Sequence, residues 1–220
     1  MNPMKYFNYK GFFTKERERS LMVGLLLLGL AIVFQVYVSE YANRIASNSV
    51  SDLFLSILPV VNLNFVIIEG ALTAIVISLL LLFAKPNYLI FAVKAAAIFI
   101  ATRAVFIAVT HVGIYPGQIG PDPTGVFDRI YIDLGLEGGF FFSGHTGFPF
   151  LMALIFWNEK SWRYAYLILS AGFGVAVLFA HVHYSMDVLA APYMAYGIYK
   201  MTAYFFPEDH ALTLPGGAAA

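Results

Sequence analysis

Six apolar runs constrain this chain more than any other feature. They lie at about residues 21–39, 62–83, 88–110, 139–157, 163–182 and 184–206. Each approaches the roughly 20 residues that a helix needs to cross about 30 Å of hydrocarbon. Composition agrees. Of the 220 residues, 60% are hydrophobic and 12% charged, whereas soluble domains carry roughly 25% charged residues. The expected fold is all-α: a six-helix transmembrane bundle over 21–206. A basic-aromatic segment at 1–20 precedes it and a tail at 207–220 follows, with 214–220 read as disordered. Residues 1–20 mix five cations with Tyr and Phe. That suits either an interfacial segment or a flexible basic tail. The first run is long enough to span and lacks a small-residue cleavage site, so it reads as an anchor that stays.

Lys and Arg set the orientation. With the N-terminus inside, the cytoplasmic segments hold the five N-terminal cations, Lys85, Lys160, Arg163 and Lys200, and the outer ones hold Arg44 and Arg129. This asymmetry predicts cytoplasmic N- and C-termini. The fourth and sixth runs then begin outside, so His145, His183 and Asp187 fall near one outer interface. Zero formal net charge gives no case for nucleic-acid binding. The absence of cysteine excludes disulfides, thiolate metal sites and a Cys nucleophile. No metal site or cofactor is expected. Asp122, Asp128, Asp133 and Glu137 in the polar stretch 112–138 fit no calcium loop, and that stretch reads as a solvated external loop.

Ionisable groups at the edge of apolar runs are costly in a membrane chain and read as a site. Ser143-Gly144-His145-Thr146 and His183-Tyr184-Ser185-Met186-Asp187 are two such groups. His183 and Asp187 are four apart and share a face if that stretch is helical. Asp187 would then accept a hydrogen bond from one imidazole nitrogen, leave the other as nucleophile and stabilise the cation formed on attack. His145 would protonate a leaving oxygen. Ser143 and Gly144, at a helix start, would let a phosphate approach the backbone. Arg103 lies deep enough in the third run to need a partner. That partner is either a substrate phosphate, which suits its planar fork, or Glu69 at similar depth. Tyr184 is a further substrate-binding candidate. Lys94 reads as snorkelling toward the cytoplasm. His181 lies on nearly the opposite face from His183, His111 at a loop edge and His210 in the tail. All three read as outside the reacting set or structural.

Phe142-Ser143-Gly144-His145-Thr146 and the stretch from Ala180 to Val188 resemble the two signature blocks of sphingomyelin synthases. These are a branch of the type 2 phosphatidic acid phosphatase (PAP2) superfamily. The stretch from Arg103 to Thr110 resembles the third-helix block of that branch, and Leu58-Pro59 and Ile68-Glu69-Gly70 resemble earlier positions. The resemblance spans roughly residues 50–200. It implies a six-helix fold, no metal cofactor, His183 as nucleophile, Asp187 as its orienting acid and His145 as general acid. It also implies a phospholipid donor whose phosphorylated headgroup passes to the enzyme. From there it goes to a lipid alcohol (ceramide or diacylglycerol) or to water. The chain departs from the family at several points. Lys94 and Arg103 have eight residues between them and no Pro follows. Ala176-Val177 stand where the phosphatases carry Ser-Arg. Glu137-Gly138-Gly139 replace the Cys-Gly-Asp of the synthases, and Glu137 is a substrate-binding candidate through that correspondence.

The expected function is therefore an integral membrane lipid phosphotransferase with an extracytoplasmic or lumenal site. A lipid phosphate phosphatase or headgroup-releasing phospholipase C is the first alternative. A non-catalytic membrane protein or transporter is the second.

Overall fold

The computed structural model describes residues 9–136 and 141–217. All regular structure in them is helical: α1 (Tyr9–Phe12), α2 (Lys15–Ile45), α3 (Asn64–Ala84), α4 (Pro86–Val109), α5 (Val126–Asp133), α6 (Gly144–Ile155), α7 (Lys160–Phe179), α8 (Ser185–Phe205) and α9 (Pro207–Ala211). Among the described residues, four helices are long and apolar enough to cross a membrane: α2, α3, α4 and α7. Their outer faces expose Leu25, Leu26, Leu30, Phe65, Leu80 and Ile168. Apolar surface this extensive is expected where lipid is the solvent.

That count is lower than the six expected. α6 has 12 residues, about 18 Å of rise, which is short of a full crossing. The apolar run that suggested a longer helix does other work. Phe141 has a φ of 104°, outside helical space, and Phe142 is completely buried, edge-on to Phe99 at 5.3 Å. Its hydrophobicity fills the core rather than lengthening the helix. α8 occupies almost the expected range, but Pro192, Lys200 and several tyrosines dilute its hydropathy, and it is not among the four.

α4 is the axis of the fold. Every residue from Tyr88 to Ala95 is buried, a pattern that requires neighbours on all sides. Pro86 suits the first position of this helix, where its missing N–H is no loss. α2 lies close along α4 because Gly24 permits it: a Cβ there would come within 3.2 Å of Val93 and Lys94. α6 packs between α7 and α8. Ser170 of α7 donates to the Thr146 carbonyl at 2.7 Å, and Phe156, just past α6, stacks on Tyr166 at 6.1 Å.

Both ends of the described chain are folded onto this axis. Thr14 caps α2, accepting from the Arg17 N–H at 3.3 Å, and Phe12 is buried against Ile90 and Leu212. The helix thus starts six residues before the apolar run does. The first part of the tail is docked, through Asp209 and Leu212; of 214–220, expected to be disordered, 218–220 lie outside the described residues. Asp209 of α9 is paired with Lys94 of α4 and accepts from Ser20 of α2 at 2.9 Å. Lys94 also donates to Ser20 at 2.7 Å and lies 4.2 Å from the Phe206 ring centre. Lys94 therefore does not snorkel: it is 3% exposed, and burial of its charge is tolerable because a carboxylate faces it. His210 bonds Tyr199 at 2.8 Å.

Two outcomes follow. Lys94→Ala should cost about 3–5 kcal/mol by stranding a buried carboxylate, while the double change Lys94→Met with Asp209→Leu recovers most of it; chemical unfolding in detergent measures both. His210 is held below the usual imidazole range, first by burial and then by the Lys200 charge. A depressed histidine contributes stability that is complete above the unfolded value near 6.5 and is lost as pH falls through the folded value. Thermal midpoints should thus drop between pH 7.5 and 5.5, and less so in His210→Gln.

Candidate active site

His183 lies in the non-helical link between α7 and α8, since α8 begins only at Ser185. The expected contact with Asp187 forms across the helix start instead of along a helical face. His183 Nδ1 is 3.3 Å from Asp187 Oδ2, and the same oxygen accepts the Tyr184 N–H at 3.1 Å. Asp187 is 1% exposed and His183 4%. A carboxylate this deep in protein fixes the imidazole by a charge-assisted bond and orients the ring.

The second imidazole arrives on α6. Ser143 caps that helix, accepting from the Thr146 N–H at 3.3 Å, which sets where the first turn begins and so where His145 points. The His145 and His183 ring centres are 6.0 Å apart. The two helix starts are also tied directly, since the Ser143 N–H donates to the Asp187 carbonyl at 3.0 Å. Arg103, on α4, comes to the same place. It is 7% exposed, and its Nε donates to the Phe142 carbonyl at 3.2 Å. Gly144 leaves the room: a Cβ there would stand 3.5 Å from Arg103 Nε. His183 and Arg103 are both within electrostatic reach of His145.

The structure thus brings together His145, His183, Asp187, Arg103, Ser143 and Gly144. It does not join Glu69 to Arg103: among the described residues no ion pair links them, and Glu69 sits partly buried on α3. Tyr184 is buried with its hydroxyl donating to the Gly113 carbonyl at 2.8 Å, which braces a loop. Glu137 lies outside the described residues. His181 has a φ of 56° and bonds the Leu58 carbonyl at 3.3 Å through Nε2; it shapes the α7–α8 turn. His111 bonds the Ala108 carbonyl at 3.1 Å.

Sequence reasoning passed over Tyr131. Its hydroxyl is 3.1 Å from His145 Nε2, and its ring stacks on that imidazole at 5.9 Å. It comes from α5, inside the stretch read as a solvated loop. The signal was present: Val126, Phe127, Ile130, Tyr131 and Leu134 are apolar at helical spacing. A pocket of about 430 Å³, open solvent included, adjoins the site, lined by His183, Tyr131, Val182, Ile67, Ile68 and Gln118 among others. Of the two imidazoles, His183 lines this pocket, and His145 lies beside it, in contact with Tyr131. Two imidazoles, a carboxylate and a guanidinium this close together suit binding and transfer of a phosphoryl group.

Residues 138–204 match the family model described as PAP2 superfamily C-terminal. The match supports membership of the PAP2 superfamily. With it the chain is an enzyme of the phosphatase or phosphotransferase type. No curated protein and no solved structure matches the chain. The matched stretch includes α6, α7 and all of α8 but its last residue, and so His145, His183 and Asp187.

Ser143→Ala removes the α6 cap and should lower stability by about 0.5–2 kcal/mol in thermal unfolding. Gly144→Ala should unfold normally, since its new methyl group meets Arg103 only at van der Waals distance. A loss of folded protein in Gly144→Ala contradicts the placement of Arg103 against α6.

Proposed function

We propose that the protein is a membrane lipid phosphotransferase of the sphingomyelin synthase-like kind, working through a phosphohistidine. The observation that carries this reading is the pair of imidazoles 6.0 Å apart, one backed by a buried carboxylate and the other beside Arg103. His183 Nε2 attacks phosphorus in line, and the bond from phosphorus to the glycerol oxygen breaks. His145 gives its proton to that oxygen, and diacylglycerol leaves. Arg103 and the N–H groups at the start of α6 take up charge on the other phosphoryl oxygens. Asp187 stabilises the positive ring while phosphorus is attached to it. In the second half an alcohol oxygen attacks phosphorus, the P–N bond breaks, and the alcohol's proton goes to His145. Ceramide, diacylglycerol or water supplies that oxygen, and water makes the enzyme a hydrolase.

The proposed setting is a membrane domain over 21–206 with its termini in the cytoplasm. The site then opens on the extracytoplasmic or lumenal face. The Lys and Arg distribution supports this orientation. The same face presents Leu53, Ile57 and Val126 as exposed apolar side chains, which suits contact with the lipid that must reach His183.

Purified protein should move label from a headgroup-labelled phospholipid to added ceramide or diacylglycerol. Label found only in water-soluble products rejects transfer in favour of hydrolysis. His183→Ala and Asp187→Asn should abolish turnover while folding normally, and His145→Ala should cost about 10²–10⁴-fold. Tyr131→Phe should lower the rate about two- to tenfold, the value of one net hydrogen bond. Full activity in purified His183→Ala rejects the nucleophile assignment.

A further inference from the structure

The stretch of chain that carries His183 is not itself helical. α7 ends at Phe179, α8 starts at Ser185, and His181 between them is left-handed. α7 closes its end with the His181 N–H on the Leu178 carbonyl at 3.1 Å and the Val182 N–H on the Val177 carbonyl at 2.9 Å. The loop between α2 and α3 adds long-range bonds to the same turn. The Val61 N–H donates to the Phe179 carbonyl at 2.8 Å. The Val50 N–H donates to the Tyr184 hydroxyl at 3.3 Å, and the Leu58 carbonyl meets His181. Leu55, 2% exposed, packs beneath Tyr184.

The strongest of these links is ionic in character. Asp52 Oδ2 accepts the Ser185 N–H at 2.7 Å and the Ser185 hydroxyl at 2.8 Å. Its other oxygen accepts the N–H groups of Phe54 and Leu55 at 3.0 and 3.1 Å. Both oxygens are engaged, so the carboxylate cannot turn away without breaking its own loop. The Ser185 N–H is one of the donors that a helix start leaves unsatisfied, and a negative charge there also suits the helix dipole. Burial raises the Asp52 carboxyl. The bonds from Leu55, Ser185 and Phe54 outweigh that and hold it below its ordinary value, ionised at neutral pH.

We infer that Asp52 is a positioning residue for the nucleophile: through Ser185 it locks the first turn of α8, and with it the contact between Asp187 and His183. The inference deepens the phosphotransferase reading and rests on it for the role of His183. Asp52 touches neither substrate nor the reacting ring. Its effect should therefore appear in the rate of the bound complex rather than in binding.

The test uses the full chain in detergent micelles. Asp52→Asn, Asp52→Glu and Ser185→Ala are compared with the parent by hydrogen exchange and by turnover of a headgroup-labelled phosphatidylcholine and of phosphatidic acid. Asp52→Asn should speed exchange at 183–187 selectively, leave the transmembrane helices protected, and lower kcat about 10- to 100-fold with KM within about twofold. Asp52→Glu, which keeps the charge, should retain more kcat than Asp52→Asn. Unchanged exchange at 183–187 overturns the inference. So does a fall in rate that only tracks the folded fraction, or a rise in KM at constant kcat. If the parent turns over neither lipid, the functional reading fails on its own, and the exchange data still decide whether Asp52 holds the turn.

Discussion

Asp187 is the point on which the site depends. One carboxylate oxygen takes both the His183 ring and the Tyr184 N–H, while its backbone carbonyl takes the Ser143 N–H. The first pair fixes the ring. The second joins the start of α8 to the start of α6, and so sets the distance between the two imidazoles. Burial makes this demanding. At 1% exposure the carboxylate has no water to fall back on, and every bond it makes must come from the protein. A residue with so many fixed partners orients a neighbouring ring with little motion, which is what the proposed transfer through a phosphorylated intermediate requires.

Much of the scaffold could be read in the residues, because long apolar runs translate directly into helices. The positions of α3, α4, α7 and α8 follow from them to within a few residues. The meeting of His145, His183 and Asp187 was also legible, since each is an ionisable group at the edge of an apolar run near one interface. Arg103 was read only as a deep cation needing either a phosphate or Glu69. What could not be read was which particular polar side chains pair across the chain when no apolar run frames both of them. Lys94 looked like a snorkelling cation because Asp209 lies 115 residues away. Asp52 drew no attention in the sequence, and its partner Ser185 lies 133 residues away. Hydrophobicity also misled where it served the core. Phe141 and Phe142 lengthened an apparent span that the backbone does not build as helix.

The loops explain why so short a chain can hold a defined site. The segment 46–63 grips the turn before α8, and α5 supplies Tyr131 to His145. His145, Asp187 and Arg103 stand on helices and His183 just before one, but their aim is set by polar contacts from the loops and helix starts. Fixing aim there lets the spans keep lipid-facing surfaces without polar groups, which would be costly to hold in hydrocarbon.

The cluster of Lys94, Asp209 and Ser20 bears on how the chain is made. As α4 enters the bilayer beside α2, its ammonium group has a hydroxyl for company but no counter-charge. The carboxylate that neutralises it is synthesised only after α8 has been laid down. A chain that lacks Asp209 therefore carries an uncompensated cation among apolar neighbours, which is costly. Closure of this cluster marks a chain whose helices have all found their places.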